Sequence, residues 1–235
     1  MVTNLLENNH LVLVGKVTSD KTYSHEIYGE KFYIFDLEVP RLSSAVDIIP
    51  ITVSERLLTD LNLEIGTKLS IEGQFRSYNS YQNERNKLIL TVFAKDIVEI
   101  KDEPKKEDSE EEKKDVVTNE VTLSGYVCKK PIYRQTPFDR EISDLLLAVN
   151  RAYNKSDYIP SIAWGRTARF CQNLPTGTEV RIIGRVQSRK YEKKHEDGTV
   201  EEKGAYEVSI SSLEVTNRDN EFIKKEDVAA VEEAV

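Results

Sequence analysis

NRAYNKSDYIPSIAWGR, residues Asn150–Arg166, sets the aromatics Tyr153, Tyr158 and Trp164 among the cations Arg151, Lys155 and Arg166, with Asp157 as the one carboxylate. Read with the two-residue period of a strand, Tyr158, Pro160, Ile162 and Trp164 share one face, and Ile159, Ser161 and Ala163 share the other. The period alone does not say which face turns inward. A degenerate copy of the stretch lies 110 residues upstream, DIIPITVS at Asp47–Ser54, where Ile49, Ile51 and Val53 are apolar and Pro50, Thr52 and Ser54 are not. The odd-numbered face is therefore the buried one. Ile159, Ser161 and Ala163 are expected inside, and Tyr158 and Trp164 outside. Exposed rings among cations suit a flexible polyanion whose flat bases stack on them, as in single-stranded nucleic acid. Rings that close a barrel or pack a subunit interface are the structural alternative.

The rest of the chain repeats around this pair of strands. In residues 1–100, HLVLVGKV, EKFYIFDLEV, DIIPITV, TKLSIEGQFRSY and KLILTVFAKDIVEI read as strands, with bends expected at Gly15 and Gly66. Ser54 caps a short helix over Ser54–Leu63, whose apolar side is Leu57, Leu58 and Leu61. Residues 121–217 repeat the series: VTLSGYV, LLLAVNR, DYIPSIA, the helix GRTARFCQNL, GTEVRIIGRVQS, a hairpin tip at Asp197–Gly198, and AYEVSISSLEV. The fold class is all-β with one short helix per domain. The order β-β-β-α-β-β fits two tandem five-stranded OB-fold barrels better than a sandwich of about seven strands. Residues 101–120 are nearly all charged and read as a solvated linker, and 218–235 read as an acidic tail.

The 235 residues suffice for two domains of about 100 each. The net charge of −8 is unevenly spread: residues 121–217 carry 15 cations against 12 carboxylates, while the segments on either side are acidic. That asymmetry points to a polyanion partner for the second unit. No apolar run approaches the length of a membrane span and no N-terminal signal is present, so a cytoplasmic, nucleoid-associated location without membrane contact is expected. Cys128 and Cys171 sit in unlike contexts and three histidines form no cluster, so no disulfide, metal or cofactor is expected. There is no Gly-rich phosphate loop and no nucleophile–base pair, which argues against an enzyme.

LLLAVNR, DYIPSIAWGR, IIGRVQSRKYE and YRQTP (Tyr133–Pro137) resemble the bacterial single-stranded DNA-binding protein family over nearly all of 121–217, and more weakly over 10–100. The resemblance implies base-stacking rings at Tyr153, Tyr158, Trp164 and Tyr191. The register of the fourth strand puts Val180, Ile182, Gly184 and Val186 inside and Arg181, Arg185 and Arg189 outside. With Arg134, Arg151 and Arg166 these are the candidates for phosphate contact, because planar guanidiniums pair with phosphate in a fork. The resemblance also implies a homodimer with four OB-folds in all. An acidic tail would recruit replication or repair proteins, although the family's usual tip is missing here.

In the first unit Ser43, Ile48 and Ser54 stand where Tyr153, Tyr158 and Trp164 stand in the second, and only Arg76, Tyr78 and Tyr81 keep some of the character. Residues 121–217 are therefore expected to grip the strand, protecting DNA in replication, recombination or repair. Residues 1–100 are expected to assemble the oligomer or bind weakly. The competing readings are a protein-interaction OB module, such as a primosomal or replication-restart accessory, and an RNA-binding OB protein.

Overall fold

Odd-numbered residues of β1 (Asn9–Val17) are all buried, which turns Leu11, Leu13 and Val17 into the core and leaves His10 and Lys16 outside. Strands β2 (Thr22–Ile27), β3 (Glu30–Pro40), β4 (Val46–Ser54), β5 (Lys68–Gln82) and β6 (Arg85–Glu99) complete the first half. The second repeats them as β7 (Asn119–Val127), β8 (Ile132–Gln135), β9 (Glu141–Arg151), β10 (Lys155–Trp164), β11 (Glu179–Lys194) and β12 (Val200–Val215), with helix α1 (Gly165–Cys171) after β10. The computed structural model describes residues 8–59, 61, 63–82, 85–101, 118–194 and 200–216. The acidic tail, most of the charged linker and the Asp197–Gly198 tip fall outside the described residues.

In each half five pairings run in a ring. β1 pairs with β5, β5 with β6, β6 with β4 in parallel, β4 with β3, and β3 returns to β1. β7, β11, β12, β10 and β9 close in the same way. Such closure requires strands to approach closely at the corners. A Cβ on Gly125 would lie 2.5 Å from the Ala148 carbonyl oxygen, and one on Gly15 would meet the carbonyl of Glu38.

The halves join by antiparallel pairing of β1 with β7, in which Asn9 faces Leu123 and Leu13 faces Asn119. Residues 110 apart thus exchange places across a local two-fold. Asn9 donates to the Phe75 carbonyl at 2.8 Å and accepts from its N–H at 2.9 Å, and Asn119 does the same with Val186 at 2.7 and 2.9 Å. Each side-chain amide stands in for a backbone amide and continues the sheet.

Three expectations are corrected. Each half has a sixth strand, β2 or β8, hairpinned onto the next. The helix expected over Ser54–Leu63 is a single 3₁₀ turn, Glu55–Leu58, capped by the Ser54 hydroxyl accepting from the Arg56 N–H at 3.2 Å. Thr59, still in the right-handed helical region, donates its hydroxyl back to the Arg56 carbonyl at 3.1 Å. Finally β7 begins at Asn119, inside the segment read as linker, and the Thr118 carbonyl already accepts from Val14 N–H at 2.8 Å. Among the described residues no helix is long and apolar enough to cross a membrane.

Candidate nucleic-acid interface

The alternation of β10 works as its sequence dictates: Asp157, Ile159, Ser161 and Ala163 are buried, Tyr158 is half-buried, and Trp164 is 37% exposed. Ile162 departs from it, being 5% exposed on the face expected to look out. Nine steps of about 3.3 Å separate Lys155 from Trp164, so Tyr153 and Trp164 mark opposite ends of a path of roughly 30 Å.

At one end, Trp164 precedes α1 and donates its Nε1–H to the Ser209 hydroxyl on β12 at 3.0 Å, which fixes the ring at the surface, and Arg166 follows it, exposed, in the first turn of the helix. At the other, Tyr153 is 94% exposed at the tip of the β9–β10 turn. Its φ of 63° and that of Asn154, 55°, are left-handed, a conformation that costs a non-glycine residue about 1–3 kcal/mol. Between them the Tyr158 N–H donates to the Ser77 hydroxyl of the first half at 2.7 Å.

Tyr153 does not open onto its own half alone. With Arg151 and Lys155 it lines a groove of about 760 Å³ whose other wall is His25, Arg76, Tyr78 and Phe93. A second groove of about 470 Å³ runs between Pro50 of one half and Pro160, Arg189 and Tyr206 of the other. The two share Tyr78 and Thr91.

The arginines divide into two sets. Arg166, Arg181 and Arg189 are exposed, and Arg134, half-exposed, pairs with Asp144 at 2.8 Å. Arg151 and Arg185, also candidates for phosphate contact, each pair with a carboxylate at the junction of the halves. Arg151 lies 3.3 Å from Asp157, which accepts the Ser77 N–H at 2.9 Å. Arg185 lies 3.2 Å from Asp47, which also takes two bonds from Arg41, at 2.7 and 2.5 Å, and the Ser188 N–H at 2.6 Å. Burial pushes the Asp157 carboxyl up, against the pull of the Ser77 N–H, Arg151 and Arg76. Burial likewise lowers Arg185, helped by neighbouring Arg41 and opposed by Asp47.

Tyr191 and Tyr81 fall at strand positions of β11 and β5, but their side chains lie outside the described residues. Sequence reading missed Phe93, His25 and Phe138, the last 86% exposed in the β8–β9 hairpin. No motif marks Phe93 and His25, because each matters only through the residues packed beside it, Arg76 on Phe93 and Phe32 under His25. Among the described residues no cluster of His, Cys, Asp and Glu could hold a metal ion.

Residues 118–216 match the model of the single-strand binding protein family. The chain is 33% identical over 84 residues to a curated relative from Bacillus subtilis, single-stranded DNA-binding protein B, covering 32% of this chain and 72% of that one. It is 36% identical over 88 residues to the single-stranded DNA-binding protein of Clostridium tetani, covering 34% and 59%. The chain therefore belongs to the single-strand binding protein family. It spans 54–63% of the length of the first curated relatives it matches. The fold is also that of the single-stranded DNA-binding protein from Thermus aquaticus, with a TM-score of 0.67 over 93% of this chain and 97% of that one at 18% identity.

Proposed function

We propose that the chain binds single-stranded DNA with little sequence preference, rings stacking on bases and cations meeting phosphates, and so protects the strand during replication, recombination or repair. The observation that carries this reading is the surface along β10, where exposed Tyr153 and Trp164 mark the two ends of the strand and Arg166, Arg181 and Arg189 of the same half are open to solvent. Such a surface matches a flexible polyanion with flat bases, and the family membership of 118–216 agrees with it.

In this reading each ring of five strands is an OB-fold barrel, so that the chain is two tandem units, 1–100 and 119–217, joined by the charged segment between them. Tyr158, Trp164 and Tyr191 extend the stacking surface of the second unit, with Arg134, Arg166, Arg181 and Arg189 along the phosphates. Two chains, with four barrels in all, form the working assembly in the bacterial cytoplasm, and the acidic segment 218–235 is the place for replication or repair partners.

The test is the affinity for oligo-dT as a function of salt. With four phosphates engaged, raising salt fourfold weakens binding about 50-fold, from a slope of about −0.7 per phosphate on a single strand. An affinity that ignores salt contradicts the reading and favours an apolar docking surface for protein.

A further inference from the structure

In the second half the ring of Trp164, on β10, reaches across to Ser209 of β12. The register fixes the equivalent pair in the first half. Ser161 and Ile162 face Val208 and Ser209, and Ile51 and Thr52, 110 residues earlier, face Val92 and Phe93. Ser54 is then the counterpart of Trp164, and Phe93 that of Ser209. The ring and the serine have exchanged strands. The first half has therefore not lost the platform that Ser54 leaves vacant on β4, because β6 supplies a ring from the adjacent position.

That ring is built into a stacked array. The Arg76 guanidinium carbon lies 3.9 Å from the Phe93 ring centroid. Its Nε and Nη2 both donate to Gln74 Oε1, at 3.1 and 2.7 Å, which sets the plane of the group. Phe93 leans on Phe32 at 5.7 Å, and exposed His25 stacks on Phe32 at 4.9 Å with the planes 8° apart. Arg76, Phe93 and His25 all face the groove that Tyr153 and Lys155 enter from the second half. A guanidinium held over a ring is itself a surface for a base, and its remaining N–H groups suit phosphate. Asp157, 2% exposed behind Arg151, partly offsets the cations without entering the groove lining.

We propose that this groove is a second strand-binding subsite built jointly by both halves. One base stacks on the Arg76–Phe93 pair and His25, its phosphate meets Lys155, and Tyr153 covers it from the other side. The inference rests on the reading of the chain as a single-strand binder, and it replaces the expected division of labour in which residues 1–100 contribute little.

The full chain is titrated with oligo-dT of increasing length, following Trp164 emission and the anisotropy of a label on the oligonucleotide. Arg76→Lys keeps a cation near Asp157 but removes the flat surface, while His25→Ala and Tyr153→Ala change exposed side chains and leave the melting temperature in place. Each is expected to weaken binding of the longer oligonucleotides by about 5- to 150-fold, the range for one stacked base, while the Trp164 response at saturation is kept. Wild-type affinity of all three variants at every length, with the Trp164 response intact, overturns the subsite and leaves DNA binding standing. A wild-type chain that binds no length at all overturns both.

Discussion

Replacing Asp47 by alanine removes the charge that ties Arg41 and Arg185 to the junction of the halves. Asp47 is fully buried and accepts two bonds from Arg41, one from Arg185 and one from the Ser188 N–H. Without it two guanidiniums confront each other and a backbone donor loses its acceptor. Breaking a fully buried pair costs about 3–5 kcal/mol, and an orphaned buried donor alone about 1–3 kcal/mol. The side chains of Arg41 and Arg185 are 26% and 36% exposed, so water softens the electrostatic part. The lower end, about 3 kcal/mol, is the expected loss. At about 2–4 °C per kcal/mol for a chain of this size, the melting temperature falls by about 6–12 °C. Urea unfolding of the full chain measures it, with Asp47→Asn as the control that keeps an oxygen for the Ser188 N–H and recovers part of the loss. A loss under about 0.5 kcal/mol, that of an ordinary surface change, would refute the assignment of this cluster as the clasp between the halves.

Gly125→Ala drives a methyl group to 2.5 Å from the Ala148 carbonyl oxygen, and an expected loss of about 1–3 kcal/mol is read by thermal unfolding. Burial raises the Cys128 thiol to about 11. Its thiolate, the reactive form, is therefore scarce at neutral pH and grows as pH climbs toward that value. Alkylation at pH 8 should run about 10-fold slower than for a free thiol near 9, since the scarcer thiolate is also the more nucleophilic one, as followed by mass spectrometry of Cys128.

How far the sequence could be read depends on whether a feature is local. The buried face of β10 was legible because a second copy, Asp47–Ser54, resolved an ambiguity that one strand leaves open. The inward set Val180, Ile182, Gly184 and Val186 follows from the same period, and all four are buried. Strands β2 and β8 were not legible, since as edge strands they bury almost nothing and show no alternation of buried and exposed positions. The fate of Arg151 and Arg185 was equally hidden. An arginine on an outward face looks free until its carboxylate is known, and Asp47 meets Arg185 across 138 residues. Phe93 escaped for a related reason. Comparing the repeats strand by strand shows Ser54 as a loss, and only the pairing of β4 with β6 shows what fills the place.

Emission of Trp164 tests the central claim most directly. It is the only tryptophan, its ring is held by Ser209 with 37% of the residue open to solvent, and it lies in the stretch from which the binding surface was inferred. Titration with oligo-dT should quench it saturably, in step with the anisotropy of the labelled oligonucleotide and with the quenching reversed by added salt. Emission that stays constant while the anisotropy reports full binding would place the strand elsewhere on the protein and contradict the account.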